Sequence, residues 1–234
     1  MTIFICGDST AASYPPEKAP LTGWGQVLGE FLPGTPIVNH AMAGRSSKSF
    51  LAEGRLLPVE QALRPGDLLL IQFTHNDRNP LPERHTDPRT TFPECLRVYL
   101  AAARRCGAIP VLMTPIPLRQ WEAGCLADTH GDYPQAIRDL AREEALPLLE
   151  ITRPAMQRLA DMGPEAAKAL YLHLQPGVFP AWPQGAADDV HTSFAGARFY
   201  ARLAAEQLQT LGLAGLPAES DRKDNHHDHH LLGR

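Results

Sequence analysis

The chain has 234 residues, 44% hydrophobic and 21% charged, enough apolar material for one continuous core and none of the bias of disordered or fibrous chains. Its 22 Lys and Arg stand against 26 Asp and Glu, for a net charge of −4. No stretch gathers enough basic residues to follow a phosphate backbone, so nucleic acid is not an expected partner. Pro, Arg, Asp or Glu breaks every apolar run before the roughly 20 residues a membrane span requires, so none is expected.

Met1 to Cys6 enters a hydrophobic strand without the basic start and small-residue cleavage site of a secretory signal. The cysteines Cys6, Cys95, Cys106 and Cys125 lack paired C-x-x-C spacing, and the expectation is reduced thiols in the cytoplasm. Along the chain, Thr2 to Cys6 reads as a strand, Trp24 to Leu32 as a helix and Pro36 to Asn39 as a second strand. Asp67 to Phe73 predicts a strand, Phe92 to Cys106 a helix that Gly107 stops, Ile109 to Thr114 a strand, Tyr133 to Glu144 a helix and Leu146 to Ile151 a fifth strand. Short Ile, Leu and Val runs alternating with segments of helical period predict a parallel sheet with helices on both faces. Met162 to Asp188, rich in Pro, reads as a short helical piece followed by a pocket-shaping loop. Ser193 to Leu211 reads as a closing amphipathic helix. The fold class is therefore α/β, a single-domain three-layer α/β/α arrangement over residues 1–215. Residues 216–234, with His226, His227, His229 and His230, read as a disordered tail without catalytic role.

Gly7-Asp8-Ser9-Thr10 places a serine just past the carboxyl end of the first strand, where open α/β sheets bind ligands. The same residues suit a simple turn or helix cap. Ala11 occupies the second glycine's place of a G-x-S-x-G elbow, so the common α/β-hydrolase layout is not supported. Asp188-Asp189-Val190-His191, just before the closing helix, has a three-residue offset that brings Asp188 and His191 together within a turn. A carboxylate holding Nδ1–H leaves Nε2 free to take a serine proton. Gln72 through Asp77 ends the third strand in a polar cluster in which the Asn76 amide can donate to an oxyanion. Asn39 through Ser47 delivers Gly44 to the same edge. Each block also reads as an ordinary turn or cap.

Gly7-Asp8-Ser9-Thr10, Gly23-Trp24-Gly25-Gln26, Asn39 through Ser47 with its Gly-Arg-Ser-Ser, Phe73 through Asp77, and Asp188 through Ser193 together resemble the SGNH hydrolases. This family is also called GDSL-like, and the blocks are most similar to its rhamnogalacturonan acetylesterase-like branch. The resemblance spans nearly the whole chain before the tail. It implies a flavodoxin-like fold in which Ser9 is the nucleophile, His191 the base and Asp188 its orienter. The N–H groups of Ser9 and Gly44 and the Asn76 amide would form the oxyanion hole. The family places glycine where this chain has Thr74, two positions before Asn76. The expected reaction is cofactor-free and metal-free hydrolysis of acetyl esters on a small-molecule or oligosaccharide substrate of pectin or another plant polysaccharide, through an acyl-enzyme.

Trp24, Arg45, His75 and Trp182 are the candidate sugar contacts, through ring stacking and donation to hydroxyls or uronate carboxylates. Four other readings compete. A metal-dependent hydrolase could use His75, Asp77, Asp188, Asp189 and His191. A dinucleotide site could use Gly23-Trp24-Gly25, although Leu28 takes the third glycine's place. A sugar O-acetyltransferase and a non-catalytic carbohydrate-binding protein complete the set.

Overall fold

The computed structural model describes residues 1–214, and the predicted tail lies outside the described residues. In chain order the elements are β1 (Ile3–Gly7), α1 (Trp24–Val27), β2 (Ile37–Asn39), α2 (Ser47–Ala52), α3 (Leu56–Ala62), β3 (Leu68–Gln72), α4 (Thr91–Arg105) and β4 (Ile109–Met113). There follow β5 (Trp121–Glu122), β6 (Cys125–Leu126), α5 (Tyr133–Glu143), β7 (Leu148–Leu149), α6 (Thr152–Ala166), β8 (Tyr171–Leu174), β9 (Ala186–Thr192) and α7 (Phe194–Thr210).

Five strands form one parallel sheet in the order β2-β1-β3-β4-β7, as the predicted alternation of strand and helix requires. The side chains of β1 alternate between two buried faces. Ile3 and Ile5 join Trp24, Leu28, Tyr200 and Leu208 beneath α1 and α7. Phe4 and Cys6 join Phe50, Phe73, Tyr99 and Ile137 beneath α2, α4 and α5. Because both faces are covered, the strands read as continuous apolar runs rather than alternating ones.

The short elements α2, α3, β5 and β6 are not predicted by the sequence reading, and two larger features also depart from it. First, α6 begins directly after the last sheet strand, with a break at Gly163, whose φ is 76°. Second, the expected loop before the closing helix is flanked by an antiparallel pair, β8 and β9, with residues 175–185 as the loop between them. The pair's register steps from Tyr171 opposite Thr192 to Leu172 opposite Asp188, so three extra β9 residues are accommodated in a bulge that re-aims the side chains. Among the described residues, no helix is long and apolar enough to cross a membrane.

Candidate active site

β1 and β3 lie side by side at the centre of the sheet, and the chain leaves them toward opposite flanks. This creates the crevice at the strands' carboxyl ends where such sheets bind ligands. Ser9 lies in the turn after β1, Gly44 in the loop after β2 and Asn76 in the turn after β3. Three adjacent strand ends thus supply all the residues assigned to the nucleophile and the oxyanion hole.

The turn that carries Ser9 is clamped from several directions. Thr10 N–H and Oγ1–H donate to Asp8 Oδ1 at 2.9 and 2.7 Å. Trp24 N–H donates to the Thr10 carbonyl at 2.9 Å, and Asn39 Nδ2 donates to the Ala11 carbonyl at 2.7 Å. Tyr14 Oη donates to the Ser9 carbonyl at 2.8 Å. The Gly23-Trp24-Gly25 block moulds this turn by close approach. A β-carbon on Gly23 would lie 2.3 Å from the Ala12 carbonyl oxygen, and one on Gly25 would lie 2.6 Å from that of Ala11. Backbone of the Ser9 turn fills the space beside these glycines, so they cannot cradle a dinucleotide phosphate.

Ser9 is 6% exposed, and its Oγ lies 3.0 Å from His191 Nε2. His191 Nδ1 lies 2.7 Å from Asp188 Oδ2, while Asp188 Oδ1 accepts from the N–H groups of Val190 and His191 at 2.8 and 2.9 Å. The three-residue offset brings the two side chains together as the sequence predicts, and the turn that does so is the bulge of β9. The hydrogen bond that His191 donates to Asp188, opposed by partial burial, lifts His191 above its ordinary imidazole value; the Asp188 and Asp8 charges add to the lift. Burial pushes Asp188 up, but its bonds to His191 and to two backbone N–H groups outweigh this and hold it at about 2. A neutral imidazole in this arrangement keeps its proton on Nδ1 and offers the Nε2 lone pair to the serine.

The oxyanion candidates sit as follows. Gly44 has φ 78°, a left-handed conformation that suits glycine. Asn76 Nδ2 donates to the Arg45 carbonyl at 3.2 Å. Thr74 is fully buried at the end of β3 without left-handed backbone, so a β-branched residue is tolerated where the family has glycine. Its hydroxyl bonds back to the Phe73 carbonyl.

All four expected substrate contacts hold bonds within the protein. Trp24 is a core residue at 0% exposure, with its indole N–H on Gln72 Oε1 at 2.9 Å; an aromatic beside two glycines that pack on backbone is drawn into the interior. The His75 side chain, 6% exposed, is buried against Asp8 Oδ2 at 3.0 Å. The Arg45 guanidinium binds Glu53 at 3.1 Å and the Ala43 carbonyl at 2.9 Å. Trp182 is half-buried, and its Nε1 donates to the Lys18 carbonyl at 3.3 Å, holding the loop between β8 and β9.

The sequence reading missed Arg84, whose Nη2 lies 4.0 Å from where a β-carbon on Gly44 would stand. It also missed Tyr14; neither residue belongs to a recognisable local pattern.

The metal reading loses its ligand set. Asp77 is buried and accepts from Ser47 N–H, Ser47 Oγ and Thr86 Oγ1 at 3.1, 2.5 and 3.0 Å. Asp189 is held by Arg119 at 2.6 Å and by His173 at 2.7 Å. Among the described residues, no three His, Cys, Asp or Glu side chains converge as a metal site.

Comparison with known proteins fits this geometry. The chain is 40% identical over 213 residues to rhamnogalacturonan acetylesterase RhgT of Bacillus subtilis, covering 90% of each chain. It is 34% identical to the probable rhamnogalacturonan acetylesterase YesY of the same organism, over 90% of this chain and 94% of that one. The crystal structure of B. subtilis protein YxiM superposes with a TM-score of 0.79 at 28% identity, over 92% of this chain and 58% of that chain. The model of the GDSL-like lipase/acylhydrolase family matches residues 5–199, a span that includes the turn after β1, the loops after β2 and β3, and the whole β8–β9 hairpin. The chain belongs to the GDSL-like lipase/acylhydrolase family and is an ester hydrolase.

Proposed function

We propose that the protein removes O-acetyl groups from pectin-type oligosaccharides by a serine acyl-enzyme mechanism. The carrying observation is the linked chain of Ser9 Oγ, His191 and Asp188, with contacts of 3.0 and 2.7 Å. In this reading His191 Nε2 takes the Ser9 proton as Oγ attacks the acetyl carbonyl. Asp188 stabilises the imidazolium that forms. The N–H groups of Ser9 and Gly44 and the Asn76 amide bind the developing oxyanion; one such donor is typically worth about 3 kcal/mol. His191 then protonates the departing sugar oxygen, and water repeats the cycle to release acetate.

Supporting the sugar class, RhgT and YesY carry rhamnogalacturonan acetylesterase names over nearly their whole lengths. The guanidinium of Arg84 beside Gly44 adds a charge that suits a uronate carboxylate near the scissile ester. Action in the cytoplasm on imported fragments belongs to the same proposal, in keeping with four free cysteines.

The test is acetate release from acetylated rhamnogalacturonan, acetylated xylan and small acetylated sugars. Ser9→Ala should abolish turnover while leaving the far-UV circular dichroism spectrum unchanged. Turnover by the pure variant would defeat the mechanism, and a preference for neutral acetylated xylan over the uronate-bearing substrate would defeat the substrate assignment. Activity that survives a chelator but not a serine-directed fluorophosphonate separates this reading from a metal hydrolase.

A further inference from the structure

A second carboxylate–imidazole pair lies beneath the first. Asp8 is 0% exposed, and a fully buried carboxylate is tolerated only where hydrogen-bond donors and opposite charge meet it. Its Oδ1 receives the N–H and hydroxyl of Thr10 at 2.9 and 2.7 Å. Its Oδ2 receives His75 Nδ1 at 3.0 Å. The two bonded residues occupy matching positions, since Asp8 immediately precedes Ser9 and His75 immediately precedes Asn76. One contact therefore ties the turn after β1 to the turn after β3 at the residues next to the nucleophile and the proposed oxyanion amide.

We infer that His75 is a positioning residue for ester hydrolysis, holding the nucleophile turn and the Asn76 turn in register through its bond to Asp8. The inference rests on the roles proposed for Ser9 and Asn76. His75 otherwise faces His130, with ring centroids 4.8 Å apart and edge to face, and its Nε2 has no hydrogen-bond partner. Burial, with the His75 and Arg78 charges, pushes His130 far below the ordinary imidazole value, so His130 supplies no charge to the pair. The Asp8 carboxylate also faces Tyr14, Asp77 and His191. It is one of the charges that favours protonated His191. Losing the His75 bond leaves Oδ2 unmatched in the interior, and the turn must move to relieve it. A displacement of about 1 Å at a reacting group costs about 10²-fold in rate.

The experiment is steady-state kinetics of His75→Leu, His75→Asn and Asp8→Asn on an activated acetate ester, with near-UV circular dichroism to establish folding and Ser9→Ala as the reference for the site itself. His75→Leu should lower kcat about 10²-fold with KM little changed, whereas His75→Asn, whose amide N–H can stand in for Nδ1–H, should recover at least tenfold of that loss. Asp8→Asn should lower kcat and move the acid limb of kcat/KM to lower pH. A lowered folded fraction would also cut apparent kcat at constant KM, so kcat is taken per folded molecule from the near-UV spectrum, and the moved acid limb is the readout that a purely structural role would not produce. A folded His75→Leu variant with kcat within threefold of wild type overturns the inference, as does His75→Asn no faster than His75→Leu. If His75→Leu does not fold, Asp8→Asn decides: wild-type kcat with an unmoved acid limb overturns the inference. An inactive Ser9→Ala beside a fully active His75→Leu would reject only the positioning role, while an active Ser9→Ala would reject the underlying mechanism.

Discussion

Gly23→Ala tests the clamp on the nucleophile turn without touching any group assigned to the chemistry. The added methyl would stand 2.3 Å from the Ala12 carbonyl oxygen and 2.7 Å from the Ala11 carbonyl carbon and the Ala12 nitrogen. All three are backbone atoms, so no side-chain rotation relieves the clash. A normal contact at 3.4 Å or more requires the turn and α1 to part by about 1 Å. Overpacking of this kind costs roughly 1–3 kcal/mol of stability, and a nucleophile displaced by that distance loses about 10²-fold in turnover. The Trp24 N–H to Thr10 carbonyl bond and the Tyr14 to Ser9 carbonyl bond lie in the path of the movement, so the displacement should reach Ser9. The control is Gly29→Ala, whose β-carbon would meet only Ile37 Cγ1 at 3.6 Å. Thermal denaturation, with kcat and KM on an activated acetate ester, should show Gly23→Ala folded, moderately destabilised and about 10²-fold slower at similar KM. Gly29→Ala should behave as wild type. A Gly23→Ala enzyme with wild-type kcat would refute the claim that this glycine block positions the nucleophile.

Asp188→Asn removes the carboxylate that fixes the His191 tautomer and should lower kcat about 10⁴-fold with little change in KM; a loss under tenfold would sink the role of Asp188. Because Asp188 holds His191 above its ordinary value and the base must be neutral, activity should rise through a limb above the ordinary imidazole value of about 6.5, and a pH–rate profile with its limb at 6 or lower would contradict this. The folded-state value of Asp188 is depressed from 3.8 to about 2, so its contribution to stability is present above pH 3.8 and is lost as pH falls toward 2. The urea-midpoint gap between wild type and Asp188→Asn should shrink across that window. Burial instead raises Asp77 from 3.8 to about 7, against its bonds from Ser47 and Thr86. Ionising it costs stability as pH climbs through that range, and the midpoint of Asp77→Asn relative to wild type should rise between pH 5 and 8. Thr192→Val deletes the hydroxyl that donates to the Thr22 carbonyl at 2.5 Å. It should slow turnover while sparing the overall fold, read as a fall in kcat at unchanged near-UV circular dichroism.

The sheet was legible because its strands are buried on both faces and so announce themselves as uninterrupted apolar runs, as in Leu68 to Ile71. The crossover helices announced themselves through three- and four-residue spacing, as with Leu96, Tyr99, Leu100 and Ala103 on the buried side of α4. α2 and α3 went unread because Ser47–Ala52 and Leu56–Ala62 are too short for that period to emerge. The Ser46 capping box, formed with Ser49, was the available sign. The β8–β9 hairpin was harder to see. β9 runs Ala-Ala-Asp-Asp-Val-His-Thr with mostly half-buried side chains, so it lacks both a continuous apolar run and clean alternation. Its pairing with β8 is non-local, and the loop between the two strands looks like loop throughout.

That blind spot coincides with the part of the site that needs the most tertiary help. Ser9, Gly44 and Asn76 follow consecutive strand ends of one sheet, so local sequence places each of them. His191 arrives from outside the sheet, and three contacts locate it, each linking residues far apart in the chain. The Thr22 N–H donates to the Thr192 carbonyl at 3.1 Å, which ties β9 to the segment leading into the Gly23 clamp. Arg119, from the segment after β4, holds Asp189 at 2.6 Å. At the junction with α7, a β-carbon on Gly196 would fall 1.8 Å from the Leu170 carbonyl oxygen, so the helix start can seat against the hairpin only without a side chain there. The motif letters Asp188 and His191 name the groups, but the 3.0 Å between Nε2 and Oγ is set by this scaffold. Substitutions at Arg119 or Gly196, or Thr22→Pro, which removes the Thr22 N–H, should therefore act on the reaction through distance rather than through chemistry.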